Sequence, residues 1–238
     1  MNRYIHNHQT KTVRTEDMTA VNNAIYHFRV RGVGAEGVHI AGIVNALRSR
    51  GIHVTLVSPT NSDPTKRSHG LKDKKQIFSA IMHFLADSLP QPLFESMEIL
   101  YNIIAIPRLY RAILLHRPDF IYERYAFFNF CGAFLANFFN IPLVLEINEL
   151  SGHKRVRKQT FIRLASFLEK SVLRKSSLII TVSDFLNNEV KKIIGYSEKV
   201  ITIPNGVPQE WLTGQTIRLD SESLKSKLNL SNKKVICF

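Results

Sequence analysis

The chain has 238 residues, 45% of them hydrophobic, and its 32 lysines and arginines against 19 acids give a formal charge of +13 at neutral pH. That length buries one substantial core, or one core and the beginning of another, and the composition excludes a disordered or fibrous protein. The positive charge suits phosphate-bearing partners, whether nucleic acid, anionic lipid or a nucleotide-linked substrate, without choosing among them.

The opening residues, MNRYIHNHQTKTVRTEDM, are polar throughout and lack the apolar core of a leader or an anchor, so residues 1–22 read as a flexible tail. Residues 24–30 (AIYHFRV) predict a strand, 36–50 a helix closed by Gly51, and 53–58 (HVTLVS) the next strand. A polar loop over 61–75 leads to two helical patterns, 76–89 and 93–116, parted by Pro90 and Pro92, with a kink expected at Pro107. Next come a strand over 119–122, a helix over 126–139, a strand over 143–147, and an amphipathic helix over 157–175 with Phe161, Leu164, Leu168 and Val172 on one side. A strand over 177–182 (SLIITV), a helix over 183–194 and a strand over 199–203 complete the series.

The stretch 127–147 is the most membrane-like. Asn129, Asn137, Asn140, Pro142 and Glu146 interrupt it, and it reads as a buried helix, a turn and a buried strand instead of a membrane span. Strands apolar on both faces, alternating with helices, predict an α/β fold: a Rossmann-like, doubly wound parallel sheet of about six or seven strands with helices on both faces. Residues 23–207 form that domain; residues 208–238 read as a linker, a short helix near 221–230 and KKVICF, the start of another strand. Two cysteines, Cys131 and Cys237, lie in apolar stretches, which predicts a reducing, cytoplasmic setting with no disulfide partner and no metal cage. His27, His39 and His53 lack metal-ligand spacing and read as core or surface histidines.

GVGAEG, from Gly32 to Gly37, fits the G-x-G-x-x-G pattern of a dinucleotide-binding turn. Such a unit needs a carboxylate at the end of the second strand to hold the ribose, and that strand ends Leu56-Val57-Ser58-Pro59. Glu36 would also set a negative charge beside the pyrophosphate, so NAD is rejected. In an open parallel sheet, ligands bind beyond the carboxyl ends of the strands. That rule selects Gly34, Glu36 and Gly37 after the first strand, Glu123 and Arg124 after the third, and Asn148 and Glu149 after the fourth. Ser183, with Asp184 behind it, follows the fifth, and Asn205 and Gly206 the last.

Each of these has a plainer reading beside the functional one. Gly34 and Gly37 either let backbone amides approach a ligand at a helix start or simply make a tight turn. Glu123 and Arg124 are an ion pair at a strand end or cleft groups. Ser183 is a favoured N-cap that could also face the ligand. Asn205-Gly206 is a turn dipeptide where domains join.

Five segments carry a resemblance: AEGVHIAGIVNALRSRGIHVTLVSP (35–59), RPDFIYERY (117–125), NIPLVLEINE (140–149), LEKSVLRKSSLIITVSDFL (168–186) and KVITIPNGV (199–207). In this order and spacing they resemble the amino-terminal domain of family-4 glycosyltransferases with the two-domain GT-B fold. The resemblance implies transfer of a sugar from a nucleotide sugar to a glycan or lipid-linked acceptor, usually with retained anomeric configuration and without a metal or other cofactor. It also implies that this domain receives the acceptor, while a second domain binds most of the donor and carries a pair of glutamates eight positions apart. Many relatives place a sugar-contacting histidine where this chain has Asn148, and an amide cannot act as a base. No catalytic residue is therefore assignable by motif; Asn148 by position and Glu149 by charge are the candidates.

KKVICF resembles only the first strand of the second domain, so this chain is expected to supply the acceptor-side half and to be inactive alone. The rival expectation is a non-catalytic basic module that binds anionic membrane surfaces, peripheral at the inner face of the cell membrane. It rests on the helix over 157–175, rich in basic residues such as Arg163, Lys170 and Arg174, which otherwise reads as a core-facing helix with a solvated face. No basic run interleaved with aromatics or recognised motif points to nucleic acid.

Overall fold

The computed structural model describes residues 21–29, 34–59, 63–66, 90–152, 159–196, 198–206, 225–230 and 233. The expected helix over 76–89, the glycine-rich turn at 30–33, most of the tail and of the polar loop, and the last strand lie outside them, as does Cys237.

Among the described residues, six strands make one parallel sheet in the order β2-β1-β3-β4-β5-β6. They are β1 Asn23–His27, β2 His53–Val57, β3 Phe120–Arg124, β4 Leu143–Ile147, β5 Leu178–Thr181 and β6 Val200–Thr202. Among the described residues, the helices between them are α1 Gly34–Ser49, α2 Gln91–His116, α3 Cys131–Phe139, α4 Ile162–Lys175 and α5 Asp184–Ile194.

The chain steps outward from β1 to β2, then returns across to β3 and steps the other way. Right-handed crossovers therefore put α1 on one face and the later helices on the other. The side chains agree. Tyr26, Phe28, Val54 and Tyr122 pack with Ile40 and Val44 of α1, whereas Ile25, Ile121, Leu145 and Ile179 face the second and larger core formed with α2 to α5. The reversal of direction opens a crevice between the carboxyl ends of β1 and β3, where this class of sheet binds ligands.

Two expectations are corrected. The helix over 126–139 begins only at Cys131, because residues 125–130 make a loop in which Phe128 takes a left-handed φ of 60° with its ring fully buried. Asn102 of α2 fixes that loop: its Nδ2 donates to the Phe128 carbonyl at 2.8 Å, and its Oδ1 accepts from the Phe130 and Cys131 amides. In α4 the buried stripe is Ala165, Glu169, Val172 and Leu173, which leaves Phe161 and Leu164 exposed. Glu169 turns inward to accept from the Tyr125 hydroxyl at 3.1 Å and the Ser151 amide at 2.8 Å, while Val172 and Leu168 of the expected stripe still pack on the core. α2 runs unbroken for 26 residues with Pro107 inside it.

Candidate functional site

The sequence-selected residues all stand along the carboxyl edge of the sheet, and the structure divides them into surface, support and core. Gly34 opens α1 with φ +64°, a left-handed conformation that glycine adopts without cost. Glu36 is exposed in the first turn, where a carboxylate complements the helix dipole, and Gly37 is buried beneath it. Ser183 caps α5, its hydroxyl accepting from the Leu186 amide at 3.3 Å. Asn205 and Gly206 are exposed beyond β6, and Glu149 is exposed beyond β4.

Glu123 and Arg124 are neighbours on β3 and so point to opposite faces of the sheet. They are not paired with each other. Glu123 has no exposed surface and is not a cleft group, which corrects its expected contact with a ligand. Its Oε2 lies 2.6 Å from His27 Nδ1 on the register partner in β1. His27 Nε2 in turn meets the Tyr101 hydroxyl at 3.2 Å, with Cys131 Sγ at 3.9 Å.

Burial disfavours the charged imidazole, but Cys131 and Glu123 outweigh it and raise the His27 pKa well above its ordinary value. The Glu123 carboxylate also demands a glycine on α3: a Cβ at Gly132 would fall 1.7 Å from Glu123 Oε2. His27, Glu123 and Cys131 have metal-binding chemistry and lie close together, yet all three are sealed in the core under the crevice.

On the α1 face the same edge carries a different group, centred on Glu146 of β4. Glu146 is 1% exposed and receives four donors. His39 Nε2 of α1 lies 3.0 Å and Arg124 Nη1 3.1 Å from its Oε1, Asn148 Nδ2 donates to the same oxygen at 2.6 Å, and the Tyr122 hydroxyl donates to Oε2 at 2.8 Å. Burial raises the Glu146 pKa, but the bonds from His39 and Asn148, with the charges of His39 and Arg124, outweigh it and hold the pKa below its ordinary value. Glu146 is thus a fixed anion that orients its neighbours. Burial and that anion keep the Tyr122 hydroxyl protonated, and its ring stacks on Tyr26 with centroids 4.8 Å apart.

Arg124, His39 and Asn148 remain partly exposed, so a guanidinium, an imidazole and an amide stand together around Glu146 at the carboxyl edge of the sheet. Of the selected residues, Arg124 and Asn148 are joined here; His39 and Glu146 were not selected. The available signal was Glu146 itself, a carboxylate inside the apolar strand LVLEI, because a buried charge requires partners. Arg29, at the end of β1, is held at one side of this edge by Glu98 and by the Phe127 carbonyl at 2.8 Å.

The family described as Glycosyltransferase Family 4 matches residues 36–211. Among solved structures, the chain is similar to S. aureus MnaA in its UDP co-structure, at 13% identity over 86% of this chain and 51% of that one, with a TM-score of 0.50. It is similar also to the UDP-GlcNAc 2-epimerase from Neisseria meningitidis bound to UDP-GlcNAc, at 14% identity over 87% and 53%, TM-score 0.50. At such identities the likeness is one of fold alone. The chain spans about half the length of these solved proteins. No match is found among curated proteins.

Proposed function

The chain belongs to glycosyltransferase family 4, and from that premise we propose that it forms the acceptor-side half of an enzyme moving a sugar from a nucleotide sugar to a glycan or lipid-linked acceptor. The observation that carries this reading is the group around Glu146, which sets Arg124, His39 and Asn148 at the carboxyl edge of the sheet beside the start of α1. The UDP and UDP-GlcNAc of the two solved relatives agree with a nucleotide-sugar donor.

In the transfer, the bond between the sugar's anomeric carbon and the donor phosphate breaks. The acceptor's hydroxyl oxygen bonds to that carbon and its proton leaves. Negative charge grows on the departing phosphate, so the useful groups are positive ones already fixed in place. Arg124, steadied by Glu146, and the amides of the first turn of α1 are such groups. His39 and Asn148 supply hydrogen bonds to hydroxyls. Glu146 is not the base, since four donors occupy it. Glu149, exposed beyond β4, is the candidate to receive the acceptor's proton.

The reading extends to retained anomeric configuration and turnover without a metal, and it assigns most donor contacts to a second domain. The test compares this chain with the same chain followed by a donor-binding domain of the family, each incubated with nucleotide sugars and with glycan and lipid-linked acceptors. Acceptor-dependent nucleotide release is expected from the two-domain protein only, undiminished by a chelator and with the product's anomeric configuration retained. Release by the single chain, or none by the two-domain protein, sinks the proposal.

A further inference from the structure

The outer surface of the larger helical layer is not that of an ordinary solvated face. α2 to α4 lie side by side over the sheet, and their outward positions carry large apolar side chains: Ile103 is 67%, Phe138 67% and Phe167 70% exposed, with Leu100, Leu114 and Phe134 among them. The charges are sorted as well. These three helices hold three glutamates and no aspartate. Glu95 and Glu169 are buried, and Glu98 is paired with Arg29. The exposed charged side chains of the layer are all cationic, among them Arg111, Arg163, Lys170 and Arg174.

On α4 the outward stripe reads Arg163, Phe167, Lys170, Arg174, an aromatic between cations at helical spacing. A depression of about 300 Å³ lies against Phe167, Lys170, Ser171, Arg174 and Lys175.

From this sorting we infer that the face formed by α2, α3 and α4 seats on an anionic lipid surface. Apolar side chains that stay exposed in a globular domain mark a contact site, and a single sign of charge around them selects a negatively charged partner. A bilayer fits the breadth of the face: Phe138, Phe167 and Ile103 enter the acyl boundary while the flanking cations meet phosphate headgroups. The helices run antiparallel to the strands, so the amino end of α2 reaches the crevice edge. Seating this face therefore brings the crevice to the membrane surface, where a lipid-linked acceptor would be found.

The inference does not depend on the transfer reading, because its test contains no nucleotide sugar. The 238-residue protein is sedimented with phosphatidylcholine vesicles that contain or lack about one third phosphatidylglycerol. Binding is expected only with the anionic vesicles and to weaken as salt rises. Each cation removed near the surface is worth about a fivefold change, so Lys170→Glu with Arg174→Glu should weaken binding by roughly 25-fold or more. Phe138→Ser should weaken it about tenfold, whereas Lys66→Glu, on the loop after β2, should leave it unchanged. These positions are exposed, and unaltered melting temperatures establish that the variants fold.

Equal sedimentation with both vesicle types, indifference to the α4 charge reversals, or no sedimentation overturns the inference. So does a self-associated form that Phe138→Ser dissolves and anionic vesicles do not displace, since the face would then join two copies.

Discussion

Glu146 decides the behaviour of the crevice at the level of single side chains. A buried carboxylate with four donors is costly to lose, because its removal leaves Arg124 only 13% exposed and without its anion. Glu146→Gln should lower stability by about 3 kcal/mol at neutral pH, the usual result of breaking one partner out of a buried pair. The pH dependence has a definite sign. The folded-state pKa of Glu146 is depressed, so its stabilisation is present above the ordinary carboxylate value of 4.5 and is lost as pH falls through the lower folded value. Urea titrations of both proteins should show the gap between them closing under acid; a gap that stays constant would mean that Glu146 is not an ionised hub. His39 illustrates what was hidden from the sequence. Its partner lies 107 positions away, and only the packing of α1 against the β4 end brings them together.

At the scale of elements, strand positions and the winding of the sheet were legible, since apolar runs of about four to eight residues bounded by turn residues have few alternatives in an α/β chain. Leu143–Ile147 emerges as expected, and α1 starts two residues earlier than its periodicity suggests because Gly34 can enter the first turn from a left-handed φ. What was not legible depends on distant polar partners. The start of α3 is set by Asn102 across 29 positions, and the inward turn of Glu169 on α4 by its reach to Tyr125. Periodicity registers neither.

Pro107 offers a direct test of element energetics. It is exposed inside an unbroken helix, where proline forfeits a backbone hydrogen bond and crowds the preceding turn. Pro107→Ala should therefore stabilise the protein by roughly 1 to 3 kcal/mol, the range left between the helix-propensity difference and any bend that the sheet requires. A destabilised variant in chemical denaturation would show that α2 needs its bend to cover the sheet.

For the molecule as a whole, the fold is that of a family-4 glycosyltransferase amino-terminal domain, with one edge that collects polar groups and one helical face that collects cations and exposed apolar side chains. The family was legible because its segments recur in order along the chain. The division of labour at the edge was not: sequence placed Glu123 and Arg124 together, and the alternation of β3 separates them into a core pair with His27 and a crevice group with Glu146. The proposed function requires this crevice group to touch the reacting molecules. Arg124→Lys tests it most directly, because lysine keeps the charge beside Glu146 but loses the planar fork that engages a phosphate. In the two-domain protein, kcat/KM should fall by about tenfold to a hundredfold while the melting temperature hardly moves. Unchanged kcat/KM, or a loss matched by an equal loss of fold, would contradict the account.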